Sequence, residues 1–184
     1  MVGPVVVVRP AVLGDADDIG SVHVRAWQVG YRGHMPDEYL DGLSVPDRQA
    51  GWRVGLAEVA VDRDVVVIED PVDRHVCGFS IVGDPRNAGT GLPDEGELYA
   101  INLEPEAWGR GLGAPLLEGA VEALRRRGAA VAYLWVLEGN ARARRFYERE
   151  GWSPDGGVKD DDFGGRLLRE VRYRRVLSGP PARD

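Results

Sequence analysis

The stretch from Glu97 to Leu137 leaves this chain few ways to fold. An apolar run, Glu97-Leu98-Tyr99-Ala100-Ile101-Asn102-Leu103, passes through Pro105 into Trp108-Gly109-Arg110-Gly111-Leu112-Gly113-Ala114. A helical pattern follows at once, with Leu116, Leu117, Ala120, Val121 and Leu124 on one face, and Ala130 to Leu137 is again almost continuously apolar. Strand, glycine turn, helix and strand in that order read as a βαβ crossover, whose strands lie parallel and buried and whose ligands collect at the strands' carboxyl ends. A helix starts with backbone N–H groups that have no intrahelical partner, at the positive end of its dipole, so glycines there let an anion approach the backbone closely. A ligand carrying a diphosphate is the first to expect.

Upstream, Val5-Val6-Val7-Val8-Arg9 reads as a strand ended by Pro10, and Gly14-Asp15 opens a helix that runs to about Gly30, with Asp17 and Asp18 in its first turn. Met35-Pro36 begins a short helical segment to Leu43. Ser44 to Asp47 introduces a third helix, carrying Trp52, Val54, Leu56 and Val59 and stopping near Asp62. Val65 to Ile68 and Val76 to Val82 pair as an antiparallel hairpin across Asp70-Pro71-Val72-Asp73-Arg74, and Asp84 to Gly96 reads as a mobile excursion. Downstream, Asn140 caps a helix over Ala141 to Glu150 that is closed by Gly151. Trp152 starts a strand, Asp155-Gly156-Gly157 and Asp160 to Gly165 supply turns, and Arg166 to Leu177 alternates as the last strand. Residues 1–177 read as a single domain and 178–184 as a fraying tail.

Composition removes several classes of function. With 30 acidic and 23 basic residues the formal charge is −7, which disfavours nucleic acid and anionic membranes as partners and favours cationic acceptors. Lys159 is the sole lysine and stands in a polar turn, so Schiff-base chemistry is set aside. Cys77 is the sole cysteine and reads as a small core hydrophobe. It excludes an intrachain disulfide and, with no apolar run long enough to span a bilayer and no signal peptide, gives a cytoplasmic expectation. His23, His34 and His75 lie in three separate elements without paired spacing, so no metal is expected.

Two ligand families compete for the glycine turn. Gly109-x-Gly111-x-x-Ala114 satisfies a dinucleotide fingerprint, but Glu104 to Trp108 separate it from the strand end, and too little chain follows for a second nucleotide-binding half. The other reading comes from the next element, Asn140-Ala141-Arg142-Ala143-Arg144-Arg145-Phe146-Tyr147-Glu148-Arg149-Glu150-Gly151-Trp152. The Leu103-x-Pro105 strand end, the turn ending in Gly111-x-Gly113 and this Asn-x-x-Ala-x-x-Phe-Tyr-x-x-x-Gly-Trp helix occur in one order. Together with the Val-Arg-Pro strand and Trp27-x-x-x-Tyr31-Arg32-Gly33, that order resembles the GCN5-related N-acetyltransferase (GNAT) superfamily over about Val5 to Val176. One position departs: where the family commonly has Gln or Arg three residues before the first glycine of its signature, this chain has Trp108.

The resemblance implies a mixed α/β domain with a mostly antiparallel sheet, split in the middle by one splayed parallel pair and flanked by helices. It further implies acetyl transfer from acetyl-CoA (coenzyme A) as co-substrate to a primary amine, by direct attack in a ternary complex. Pantetheine would pair with freed backbone at Ile101 and Leu103, the diphosphate would rest on the amides of Gly109, Arg110, Gly111, Leu112, Gly113 and Ala114, and Asn140 would hydrogen-bond the pantetheine as well as cap its helix. Arg110 is the candidate for the charge missing at Trp108. Tyr147 matches the family's general acid and Glu97 its general base. Trp27 and Tyr31, four apart on one helix face, and the Asp160, Asp161 and Asp162 loop would wall the acceptor site, which points to a small cationic amine. Acetylation of a protein N-terminus and a non-catalytic acyl-CoA sensor are the alternatives, and homodimers recur among relatives.

Overall fold

The computed structural model describes residues 5–58, 62–86 and 94–177. Runs of β-branched residues make the first strands: β1 (Val7–Pro10), β2 (Arg63–Glu69) and β3 (Val76–Gly83) are linked antiparallel, β1 to β2 and β2 to β3. Between β1 and β2 lie α1 (Ala16–Gly30), α2 (Asp37–Asp41) and α3 (Val45–Ala57), the last capped by Ser44, whose hydroxyl accepts the Asp47 N–H at 3.3 Å. Then follow β4 (Glu95–Leu103), α4 (Gly113–Arg126), β5 (Val131–Leu137), α5 (Ala141–Arg149), β6 (Ser153–Phe163) and β7 (Arg166–Val176). The seven strands form one sheet, ordered β1-β2-β3-β4-β5-β7-β6, in which only β4 and β5 run parallel.

That parallel pair decides where the site is. Glu95 to Leu98 pair with Val131 to Leu134, and beyond Leu98 the two strands part. From there β4 keeps only its β3 partner, Ser80 facing Ile101 and Gly78 facing Leu103, while β5 keeps only β7, ending with Leu137 opposite Glu170. Leu116, Leu117, Ala120, Val121 and Leu124 bury the inner face of α4 against β2 to β5. Each such leucine contributes roughly 1.5–3 kcal/mol by leaving water. On the opposite face, Ile19 and Val22 of α1 and Trp52 and Leu56 of α3 pack on Val67, Val76 and Phe79, although Val54, expected on the apolar face of α3, is exposed. A third cluster joins Met35, Leu40 and Tyr31 to Leu137 and Phe163.

The sequence reading needs correction at β6. Asp155-Gly156-Gly157 is no turn but a bulge inside the strand, where the pairing register shifts between Pro154 and Val158. Asp160 to Asp162 likewise belong to the strand, facing Arg169, Leu168 and Leu167 of β7. The turn proper is Gly164-Gly165, whose positive φ values of 65° and 83° suit a two-residue hairpin. The strand opening the crossover begins two residues early, at Glu95, and α3 is described only to Ala57. Most of the expected Asp84 to Gly96 excursion and the tail from Ser178 lie outside the described residues. No described helix is long and apolar enough to cross a membrane.

Candidate active site

The anion cradle is built by backbone. Gly109 and Gly111 adopt φ of 75° and 81°, a left-handed conformation that strains any residue with a Cβ. This geometry turns the chain into α4, which begins without a side-chain cap at its Leu112 N-cap. Among the described residues the amides of Gly111, Leu112, Gly113 and Ala114 have no hydrogen-bond acceptor. Four adjacent N–H donors at a helix's positive end form a site for phosphate oxygens. Gly113 sits beside the Phe146 ring, where a Cβ would approach to 3.2 Å.

A cleft of about 580 Å³ runs from this cradle between the parted strands, past Ile101, Leu103, Leu137 and Asn140, to Tyr147. The Glu104 N–H donates to Cys77 O at 2.9 Å. Since backbone groups alternate sides along an antiparallel strand, those of Leu103 and Ile101 face away from β3 into the cleft. The Leu103 carbonyl is already taken, accepting the Trp108 indole Nε1–H at 2.8 Å. Asn140 uses its Oδ1 to cap α5 through the Ala143 N–H at 3.0 Å, and its side chain lines the cleft as well. The β4 end is pinned from behind by Glu104, whose carboxylate meets His75 Nε2 at 2.9 Å and Arg25 at 3.3 Å.

A second cavity of about 430 Å³ adjoins the first, bounded by Trp27, Met35, Tyr99 and Phe163. Tyr31, Ile101, Asn102, Trp135, Leu137, Tyr147 and Glu170 line both. At this junction burial and the Glu170 charge push the Tyr31 phenol up to about 12, and burial beside Tyr31 raises Tyr147 well above the usual tyrosine value. Both phenols therefore hold their protons at neutral pH, as a proton donor must. Tyr147 is fixed among Phe146, Trp152 and Tyr173, with ring centroids 5.4–6.4 Å apart. Trp27 is set by contacts with His23 and Tyr31 at 5.3 and 5.1 Å.

Four expected residues, Arg110, Glu97, Asp160 and Asp162, are placed otherwise. Arg110 lines neither cavity, because its guanidinium is bound to Asp70 at 2.6 Å. Glu97 is 1% exposed and also absent from both linings. Its carboxylate accepts the Arg86 N–H at 2.9 Å, Arg86 Nε and Nη2 at 3.2 and 2.7 Å, and the Tyr133 hydroxyl at 3.1 Å. These four bonds fill the four lone-pair positions of a carboxylate, leaving none for an amine's proton. Of the acidic triplet only Asp161 reaches the acceptor cavity. Asp160 binds Arg169 at 3.2 Å, Asp161 binds Lys159 at 3.3 Å, and Asp162 accepts the Gly165 N–H at 2.7 Å. Lys159 is also held by Glu170 at 2.9 Å.

Sequence reasoning missed Glu170, Trp135 and the α5 arginines 142, 145 and 149, all of which line the cleft. The arginine spacing of three and four on one helix carried the signal, but it reads equally as a solvated face. Cys77 is confirmed as core, with burial pushing its thiol up to about 11. Among the described residues no cluster of His, Cys, Asp or Glu could hold a metal.

A splayed parallel pair over a glycine-built anion cradle, with a buried tyrosine where two cavities meet, makes a site open to two ligands at once. The sequence profile of the Acetyltransferase (GNAT) family matches residues 39–152, and the chain belongs to that family. An uncharacterized N-acetyltransferase YuaI of Bacillus subtilis is 33% identical over 167 residues, 90% of each chain. Among solved structures, PaiA N-acetyltransferase from Thermoplasma acidophilum in complex with coenzyme A superposes with a TM-score of 0.70 at 18% identity, covering 94% of this chain and 99% of that one. YncA, a putative acetyltransferase from Salmonella typhimurium with acetyl-CoA, gives 0.69 at 21%, covering 98% of both.

Proposed function

We propose that this protein transfers acetyl from acetyl-CoA to a primary amine of a small cationic molecule, by direct attack while both are bound. The observation that carries this reading is the junction: the cleft from the anion cradle and the adjoining cavity share Tyr31, Ile101, Tyr147 and Glu170. Acetyl-CoA supplies an activated thioester. The amides of Gly111 to Ala114 receive its diphosphate, and Ile101 and Leu103 offer backbone to pantetheine as an added strand would. An N–H at Ile101 polarises the thioester carbonyl, a kind of contact worth about 3 kcal/mol per donor.

The amine nitrogen attacks that carbonyl, the carbon–sulfur bond breaks, and Tyr147 gives its proton to the departing sulfur. The proton lost by the amine goes to Glu170, the one carboxylate among the described residues that lines both cavities; Glu97 instead anchors Arg86 in the acceptor wall. Aromatic walls from Trp27, Tyr31, Tyr99, Trp135 and Phe163, together with Asp161 and Glu170, support a cationic acceptor through ring faces and charge. The enzyme in this reading is cytoplasmic.

The test is thiol release from acetyl-CoA across polyamines, aminoglycosides, amino acids and short peptides. Release that depends on a small cationic amine is expected. Release only with peptides would transfer the assignment to protein N-termini, and coenzyme A binding without release under any acceptor would make the chain a sensor. The Asp161→Asn variant is expected to raise KM for the best amine several-fold with kcat little changed, and an unmoved KM would remove Asp161 from acceptor binding.

A further inference from the structure

Trp108 occupies the position where the sequence departs from its family, and the structure gives that tryptophan a definite job. Its indole Nε1–H is bonded to the Leu103 carbonyl at 2.8 Å, which locks the ring against the end of β4 immediately before the cradle. The Arg142 guanidinium lies over the ring, its Cζ 3.7 Å from the centroid, close enough for a cation–π contact. Arg142 belongs to the first turn of α5, two residues past its Asn140 cap, and its side chain lines the same cleft as Gly109, Gly111 and Gly113. No carboxylate partners Arg142 among the described residues, in contrast to Arg110 and its Asp70. An aromatic face orients a guanidinium without neutralising it, whereas a carboxylate would consume its charge. Arg142 thus keeps its donors for an incoming anion.

We propose that Arg142, held by Trp108, supplies the side-chain cation for the coenzyme's diphosphate, and that Trp108 is the positioning residue that makes this possible. The polar side chain, Gln or Arg, that the family commonly has at the tryptophan's own position is here replaced by a cation from the neighbouring helix. The proposal rests on the cleft being the coenzyme site.

Isothermal titration of coenzyme A into the full chain tests it. Arg142→Ala is expected to weaken Kd about tenfold or more, as for loss of a charge-assisted hydrogen bond. Trp108→Ala should weaken it by a similar factor, and the double variant no further than Arg142→Ala alone, since the ring acts through the guanidinium. Dephospho-coenzyme A should lose affinity by the same factor as coenzyme A, and pantetheine, which lacks the diphosphate, should show no such loss. Trp108→Phe, which keeps a ring, should restore most of the affinity lost in Trp108→Ala and guards against a misfolded alanine variant. Binding by Arg142→Ala within twofold of wild type overturns the proposal, as do additive losses in the double variant or a loss seen with coenzyme A but absent with dephospho-coenzyme A. If the wild-type chain itself fails to bind coenzyme A, the cleft reading falls as well, which separates the two failures.

Discussion

His23 makes a sharp prediction about pH. It sits on α1 with its ring 5.3 Å from Trp27, 5.6 Å from Phe79 and 6.3 Å from Trp52, and the Trp52 indole N–H points to its Nδ1 at 3.4 Å. Burial, reinforced by the charge of Arg48, pulls its pKa down to about 4. In the unfolded chain the same ring titrates near 6.5, so between these values the unfolded state binds more protons and stability falls as the pH drops. At ~1.4 kcal/mol for each tenfold step, the gap amounts to about 3 kcal/mol, of which about 2 kcal/mol is lost between pH 7 and pH 4.5. That is a large share of the roughly 5–15 kcal/mol available to a domain. His23→Gln removes the titration. Urea unfolding at the two pH values should therefore show the wild type losing about 2 kcal/mol more than the variant does. An NMR titration of the His23 ring gives the same quantity directly. Equal losses in the two proteins, or a ring that titrates near 6.5, would refute the reasoning. Because His23 braces Trp27, acceptor KM should stay flat through this interval and begin to rise only as the pH nears 4, where the ring of the folded protein takes up its proton.

Three further outcomes concern the junction and its surroundings. Tyr147→Phe should lower kcat by about 10²-fold while coenzyme A affinity stays within twofold, and an unchanged turnover rate removes the phenol from proton transfer. Glu170→Gln should lower kcat comparably, and a variant that turns over at the wild-type rate ends its role as base. Glu97→Gln leaves Arg86 without its anionic partner next to a buried site, so chemical denaturation should register a loss of about 1–3 kcal/mol, whereas a variant as stable as wild type would contradict the anchoring role.

Local signals made much of this molecule readable. The glycine turn, the Asn140 cap and the apolar face of α4 each depend on residues within a few positions of one another, and all three stand where the sequence put them. What failed depended on distant partners. Aspartates and glycines between 155 and 162 have turn chemistry, yet pairing with β7 on both sides confines 155–157 to a bulge and keeps 160–162 in the strand, and no local rule contains Val171 opposite Val158. Arg110 is diverted by Asp70, 40 residues away, and Glu97 is closed off by Arg86 and Tyr133 from two other elements. The guanidinium that lies on Trp108, that of Arg142, comes from 34 positions later in the chain.

The partition between the two cavities has a thermodynamic consequence. A handful of side chains, Trp135 and Ile101 among them, present one surface to each chamber, so a ligand that shifts or stiffens the partition from one side alters what its counterpart meets on the other. Linkage makes any such effect reciprocal: the factor by which the acceptor changes coenzyme affinity equals the factor by which the coenzyme changes acceptor affinity. A substitution in that wall will therefore not divide cleanly into one ligand's defect or the other's.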